Sequence, residues 1–369
     1  MSLNSWEYGD ELIGQKELVF VISTLIIGVG ILTLPRSIAQ ATQSSDGWIS
    51  IMAAGIVAMG CAWTAAKLTT KFHNRTYLEF AAFVGGKPTG YAIAIFYLFY
   101  YCSFTAYISR SVAELAKQFL FERTPLEVIS VSFVLVVVFA VSGSRVGLVR
   151  LTVIFLPFVV VVTGIFLLLG TNLFEFSKLL PLFNASWSNL LEGSKESVFS
   201  FLGFEVVLFY AGLMRQPSKA PKMAIFAVLI ATILYVFVYI FSIGVFSFEV
   251  TENIMYPTIE LAREVSVPGE FFERLESLFL IFWLVSAFAT TSLSLDVSVQ
   301  SFRHLLPIKK HTILYILTPM IFLFSMAPQN IVQLSNLGGL ISYSGLIGAI
   351  VIPMSIFALA KIREVRSHG

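Results

Sequence analysis

Residues 26–35 read IIGVGILTLP and set Gly28, Gly30 and Pro35 inside an apolar stretch long enough to cross a bilayer. Lipid offers the backbone no hydrogen-bond partners. A helix interrupted at that depth must therefore place its freed groups against a cavity, a ligand or neighbouring helices. The stretch predicts a small-molecule site centred on Gly28 and Gly30.

The rest of the chain demands a membrane setting. Of 369 residues, 57% are hydrophobic and 12% charged, and the mean hydropathy is +0.85. Soluble domains carry roughly 25% charged residues. An all-α integral membrane protein follows, with room for about ten transmembrane helices and no separate soluble domain. The opening stretch MSLNSWEYGDELIG is polar and acidic, with no basic n-region or cleavage site, so no removable signal peptide is expected. Cys61 and Cys102 fall in apolar segments and read as packing residues. The histidines are scattered without zinc spacing, so neither a metal nor a cofactor is expected. A net charge of +2 is too small to indicate nucleic acid.

Apolar runs bounded by charges predict spans near 16–39, 48–70, 90–116, 126–142, 148–170, 197–214, 222–247, 275–302, 312–327 and 336–360. Basic residues gather in alternate loops: Lys71, Arg75 and Lys87; Arg145 and Arg150; Arg215, Lys219 and Lys222; Arg303, Lys309 and Lys310; then Lys361, Arg363 and Arg366. Lys and Arg accumulate in cytoplasmic loops, so both termini are expected in the cytoplasm. The connections at 171–196 and 248–274 are long and fall on the opposite side, either packing at the interface or capping an entrance.

Five predicted spans precede the 171–196 connection and five follow it. The sixth, within SVFSFLGFEVVLFYAGLMRQ at 197–216, has Gly203 and Glu205 near its middle. Interruptions at matching places in two halves mark an inverted repeat with a site between them. The expectation is one permease-like domain over 1–369: a five-plus-five inverted repeat (about 16–170 and 197–360) with helices 1 and 6 broken. Amides near Gly30 would face a carboxylate, and the carbonyls of Ile26 and Ile27 an ammonium, which together suit a zwitterion.

A carboxylate near the bilayer centre costs about 2.5–3.5 kcal/mol even on a lenient scale, so Glu205 should face the interior. It is expected as a counter-ion for an ammonium, a carboxyl that takes up a proton as the pathway opens and closes, or a structural acid bonded to broken backbone. Asp296, nearer the end of span 8, is expected to reach the headgroups. Tyr97 and Tyr101 share a face of span 3, and Ser286, Thr290 and Ser294 share one of span 8 beside Thr291. These groups serve either the ligand or hydrogen bonds between helices.

The chain resembles the amino acid/polyamine/organocation permease superfamily through its first-span element, and within it the spore germination permease family, the B subunits of spore germinant receptors. The likeness lies in LTLPR from Leu32 to Arg36, in GFE from Gly203 to Glu205, and in YPTIELAREVSVPGEFFERLE at 256–276. It extends over essentially the whole chain. The resemblance implies a sensor of small nutrients, commonly amino acids, in the spore inner membrane, working with A-type and C-type subunits. The pocket it implies comprises Thr24, Ile27, Gly28, Val29, Gly30, Ile31 and Leu32 from span 1. Ser200, Phe201, Leu202, Gly203 and Glu205 come from span 6, with Tyr97, Tyr101, Thr290, Thr291 and Ser294 alongside. Span 5, near 148–170, has no lysine of the kind that replaces sodium in some proton-coupled permeases. A receptor, a secondary amino acid transporter and a channel all reuse such broken helices. No nucleophile–base or metal constellation points to an enzyme.

Overall fold

Each long apolar run forms a helix, because in lipid only a helix satisfies its own amides and carbonyls. The computed structural model describes residues 12–71, 75–265 and 275–367. Span 1 is α1 (Gln15–Thr42) and span 2 is α2 (Gly47–Thr69). A short helix, α3 (Tyr77–Gly85), leads into span 3, α4 (Lys87–Phe119). Spans 4 and 5 are α5 (Leu126–Ser142) and α6 (Arg145–Leu169). Span 6 is α7 (Trp187–Ser200), a break, and α8 (Val207–Tyr210) between single turns of tighter helix. Span 7 is α9 (Ala220–Phe246), followed by the short helices α10 (Phe248–Thr251) and α11 (Pro257–Glu264). Spans 8 and 9 are α12 (Leu275–Leu305) and α13 (Lys310–Ser325). Span 10 joins α14 (Ile331–Leu346) to α15 (Ile352–Ser367) through a π turn at Ile347–Val351.

Among the described residues six helices are long and apolar enough to cross a bilayer, eight counting each bent pair as one span, and α5 and α13 are shorter apolar helices at the places of spans 4 and 9. Among the described residues the sole strand-like pairing is an isolated bridge between Ile13 and Met214. The first eleven residues, His73, 266–274 and His368 lie outside the described residues, and with them Glu270, Glu273 and Arg274 of the outer connection.

The packing reproduces the repeat. Helices α1 and α2 each pack on α7 and α9, which meet through Tyr235 and Ser200, and α4, α5, α12 and α13 contact one another. In span numbers these groups are 1, 2, 6, 7 and 3, 4, 8, 9, and exchanging each span for the one five places along leaves both groups unchanged. The two broken spans bend by 53° between Gln15–Gly28 and Gly30–Thr42, and by 41° between Trp187–Ser200 and Phe204–Leu213. "Terminal face" below means the side near Leu12, and "loop face" the side of the 170–186 connection.

Three local features depart from the expected boundaries. Span 6 starts at Trp187, inside the stretch expected as loop, because Ser186 caps it by accepting from the Asn189 amide at 3.2 Å. Its first turns are polar and exposed, so hydrophobic runs do not reveal them. Helix α3 occupies part of the basic loop between spans 2 and 3, begun by a capping box in which the Thr76 amide donates to Glu79 at 2.7 Å and the Glu79 amide to Thr76 at 3.3 Å. The 170–186 connection is drawn onto Asp46, whose buried carboxylate accepts from the amides of Phe183, Asn184 and Ala185 at 2.7, 2.7 and 3.0 Å.

Span 1 changes direction yet stays helical throughout, and side chains from other spans serve its exposed carbonyls. Pro35 has no N–H, which frees the Ile31 carbonyl one turn earlier. Thr258, on α11, donates to that oxygen at 2.7 Å. The YPTIEL segment thus replaces the hydrogen bond that the proline removes. Thr258→Val should cost about 1–3 kcal/mol by leaving the oxygen unsatisfied. In the double variant with Pro35→Ala, which supplies the missing N–H, most of that loss should vanish. Thermal denaturation of the four proteins in detergent tests this, and strictly additive losses would contradict it.

Candidate functional site

Three further carbonyls at the span 1 bend are served by side chains. Thr24 accepts from the Thr290 hydroxyl at 2.9 Å, Ile26 from Tyr235 at 2.6 Å and Gly28 from the Trp283 indole at 2.9 Å. The Tyr235 hydroxyl also lies 3.2 Å from the Ser200 carbonyl at the end of α7, so one residue of span 7 holds both bends together. Gly30 sits against it: a Cβ there would strike the Tyr235 ring at 3.0 Å and the Ser200 carbonyl at 3.1 Å.

The span 6 break is built on Gly203, whose φ of +117° suits glycine. A Cβ would also lie 2.9 Å from that of Leu25. Glu205 is fully buried and closes the break. One carboxylate oxygen accepts from Tyr100 and Tyr101 at 3.0 and 3.3 Å, and the other accepts from the Gly203 amide at 2.8 Å. Three donors satisfy a carboxylate that would otherwise be costly in this medium.

A cavity of about 490 Å³ lies on the loop face, reaching the bends at Gly30, Ser200 and Leu202. Another of about 740 Å³ lies on the terminal face. They share no lining residue. Between them runs a column of rings: Tyr100, on the wall of the first, meets Tyr101 at 4.8 Å, and Tyr97 meets Phe209, on the wall of the second, at 5.0 Å. Tyr97 and Tyr101 stack at 6.2 Å.

On the terminal side, Asp296 does not reach headgroups. It is fully buried. Its Oδ2 accepts from Arg145 Nε and from the Tyr210 hydroxyl, each at 2.8 Å. Arg145 also donates to the Phe209 carbonyl at 3.0 Å and lies over the Tyr210 ring at 4.8 Å. One buried carboxylate thereby joins spans 5, 6 and 8.

Of the residues named from sequence, Gly30, Leu32, Ser200 and Leu202 line the loop-face cavity. Ile27, Ile31 and Phe201 are buried around the bends, and the side chain of Val29 lies outside the described residues. Among the described residues the buried Thr24 and Ser286 hydroxyls have no hydrogen-bond partner, whereas several other groups are committed elsewhere. The Ile26 carbonyl, expected to take an ammonium, is held by Tyr235. Tyr97 donates to the Gly348 carbonyl at 2.7 Å, freed by the π turn of span 10. Thr291 and Ser294 donate back along α12 to Ala287 and Thr290 at 2.6 and 2.8 Å. Sequence reasoning did not reach Arg36, Tyr107, Tyr256 and Trp283 on the cavity wall. Of these Arg36 carried a signal, as a cation on the side whose loops are acidic.

The bent spans, the two interlocked helix groups and the cavity at the bends define a permease-type membrane protein. In solved structures the same fold appears in MhsT in complex with L-phenylalanine, with a TM-score of 0.66 over 95% of this chain and 99% of that one, at 13% identity. The sequence matches the spore permease family, described as spore germination protein, over residues 12–334. It is 34% identical to spore germination protein GerLB of Bacillus cereus across 98% of each chain. It is 26% identical to spore germination protein YndE of Bacillus subtilis (strain 168), across 95% of this chain and 97% of that one. The chain belongs to the spore germination permease family.

Removing one member of a fully buried ion pair costs roughly 3–5 kcal/mol. The Arg145 side chain is 22% exposed, which lowers the figure. Asp296→Ala should therefore destabilise the protein clearly, and Asp296→Ala with Arg145→Leu by less than the single change. Melting temperatures in detergent check the order, and equal losses would remove the pair from its role in joining the three spans.

Proposed function

We propose that this protein is the nutrient-binding B-type subunit of a spore germinant receptor, and that an amino acid or similar small nutrient occupies the loop-face cavity. The observation that carries the reading is a cavity of about 490 Å³ at the bends of both broken spans, separated by a column of aromatic rings from the cavity on the other face. Such a volume suits a small ligand. Apolar walls at Leu25, Phe199 and Ile341 favour an apolar side chain. Binding shifts the protein toward a closed form to the extent that the ligand prefers that form. A-type and C-type subunits would then read the change at the spore inner membrane. The chain acts by binding, not by catalysis.

Secondary amino acid transport is the second reading, favoured by the fold shared with MhsT, whose structure holds L-phenylalanine. A cavity on each face is what alternating access would use. The basic loops lie on the terminal face, which supports cytoplasmic termini and an outward loop face.

Three measurements test these statements. At least one apolar amino acid should raise the melting temperature of the purified protein. Stabilisation without uptake into proteoliposomes supports the sensor, concentrative or exchange flux supports the transporter, and the absence of any stabilisation removes both. Glu205→Gln keeps the shape but turns one acceptor into a donor facing hydroxyls or an amide. A loss of about 1–3 kcal/mol is expected from one unsatisfied partner, and unchanged stability and binding would show that the carboxylate is not required. Single cysteines at Ser188→Cys and Ser218→Cys, in a background lacking Cys61 and Cys102, should react with an impermeant maleimide from opposite sides of the membrane. Labelling from one side would overturn the orientation.

A further inference from the structure

The loop-face cavity contains a cation without a partner. Arg36 ends the LTLPR stretch of α1 and lines the cavity beside Thr33, Gln40, Tyr107 and Tyr256. It is half-buried. Its Nε is enclosed by protein, and among the described residues its guanidinium has neither a hydrogen bond nor an ion pair. Glu114, whose charge acts on the same Tyr256 hydroxyl as that of Arg36, is occupied: Arg110 Nη2 holds it at 2.8 Å. A guanidinium presents five donors in a rigid fork matched to a carboxylate, and withdrawing it from water without an acceptor is costly. An anion entering the cavity would offset that cost.

Two observations narrow the anion. Glu196 on α7 lines the same cavity, half-buried, and its neighbouring cation Lys195 is paired with Glu192 at 2.7 Å. The wall thus carries one charge of each sign, which complements a ligand that also carries both. Span 1 remains helical through its bend, so its amides near Gly30 are engaged within the helix and a ligand carboxylate needs another donor. Arg36 lies on the same helix, six residues and roughly 9 Å further along. Burial pushes the Tyr256 hydroxyl up to about 12 against the opposing pull of Arg36, so near neutral pH it stays protonated and able to donate to an anion.

From this geometry we infer that Arg36 is the carboxylate-recognition residue of the cavity, gripping the carboxylate of an α-amino acid whose ammonium lies toward Glu196. The inference deepens the nutrient-binding reading above and rests on it.

The test compares wild type, Arg36→Gln and Arg36→Lys by ligand-induced thermal stabilisation. The probes are L-alanine, L-valine, L-leucine and L-phenylalanine, each beside its amide and the acid lacking the amino group. Melting temperature and elution profile without ligand establish that the variants are folded. Wild type should bind at least one amino acid at least tenfold more tightly than its amide. Arg36→Gln should lose at least tenfold in affinity for that amino acid while its response to the amide is unchanged, and Arg36→Lys should recover part of the loss. If wild type binds amino acid and amide equally, or Arg36→Gln binds like wild type, the role of Arg36 is overturned and the nutrient-binding reading stands. If the deaminated acids alone bind, and lose affinity in Arg36→Gln, the anion subsite stands and the amino acid reading falls. If no probe stabilises wild type, both fall.

Discussion

Span 1 bends while staying helical, and four carbonyls at and around the bend each accept a hydrogen bond from a side chain of another element. Thr290, Tyr235, Trp283 and Thr258 reach the carbonyls of Thr24, Ile26, Gly28 and Ile31 from spans 8 and 7 and from the helix between them. Each such donor fixes a distance between span 1 and another element. The carbonyls of one bend therefore set the positions of parts of three others. The second bend uses the reverse chemistry, with an acid at Glu205 collecting one amide and two hydroxyls. Side-chain donors thus gather at the first bend and a side-chain acceptor at the second.

This division explains which parts of the molecule were legible in one sequence. Span number, the inverted halves and the two breaks follow from apolar length, alternating basic loops and glycine placement, each a local property of the chain. The start of α7 and the whole of α3 depend on caps at Ser186 and Thr76 in polar stretches, where hydrophobicity is silent. The cavity wall was legible in part. Gly30, Leu32, Ser200 and Leu202 belong to the broken segments and were visible, whereas Tyr107, Tyr256 and Trp283 enter from elements whose approach depends on the fold. Thr291 and Ser294 show the opposite limit: a polar stripe at helical spacing on span 8 can spend its hydrogen bonds within its own helix. Position along span 8 put Asp296 at the headgroups, and the structure buries it instead, because its partners Arg145 and Tyr210 lie 151 and 86 residues away in sequence.

The ring column and the charged cluster hold the bundle by different physics. The ring column between the cavities is apolar contact with specific geometry, each pair worth roughly 0.5–1.5 kcal/mol beyond its buried area, and rings can slide or turn in small steps. The Arg145–Asp296–Tyr210 cluster is charged, withdrawn from water and strict in geometry. Separating the three spans that it joins would require rehydrating or re-pairing a buried carboxylate, a larger and more abrupt event than shifting a ring.

Helix α11 touches two things at once. Tyr256, the residue before its first turn, lies on the wall of the loop-face cavity, and Thr258, two residues on, holds the carbonyl that Pro35 frees in span 1. A group that displaces Tyr256 by a fraction of an ångström must be accommodated either by that hydrogen bond or by the bend it serves, since packed interiors do not stretch. What fills the cavity and how sharply span 1 turns thus meet at a helix eight residues long, carried outside the spans.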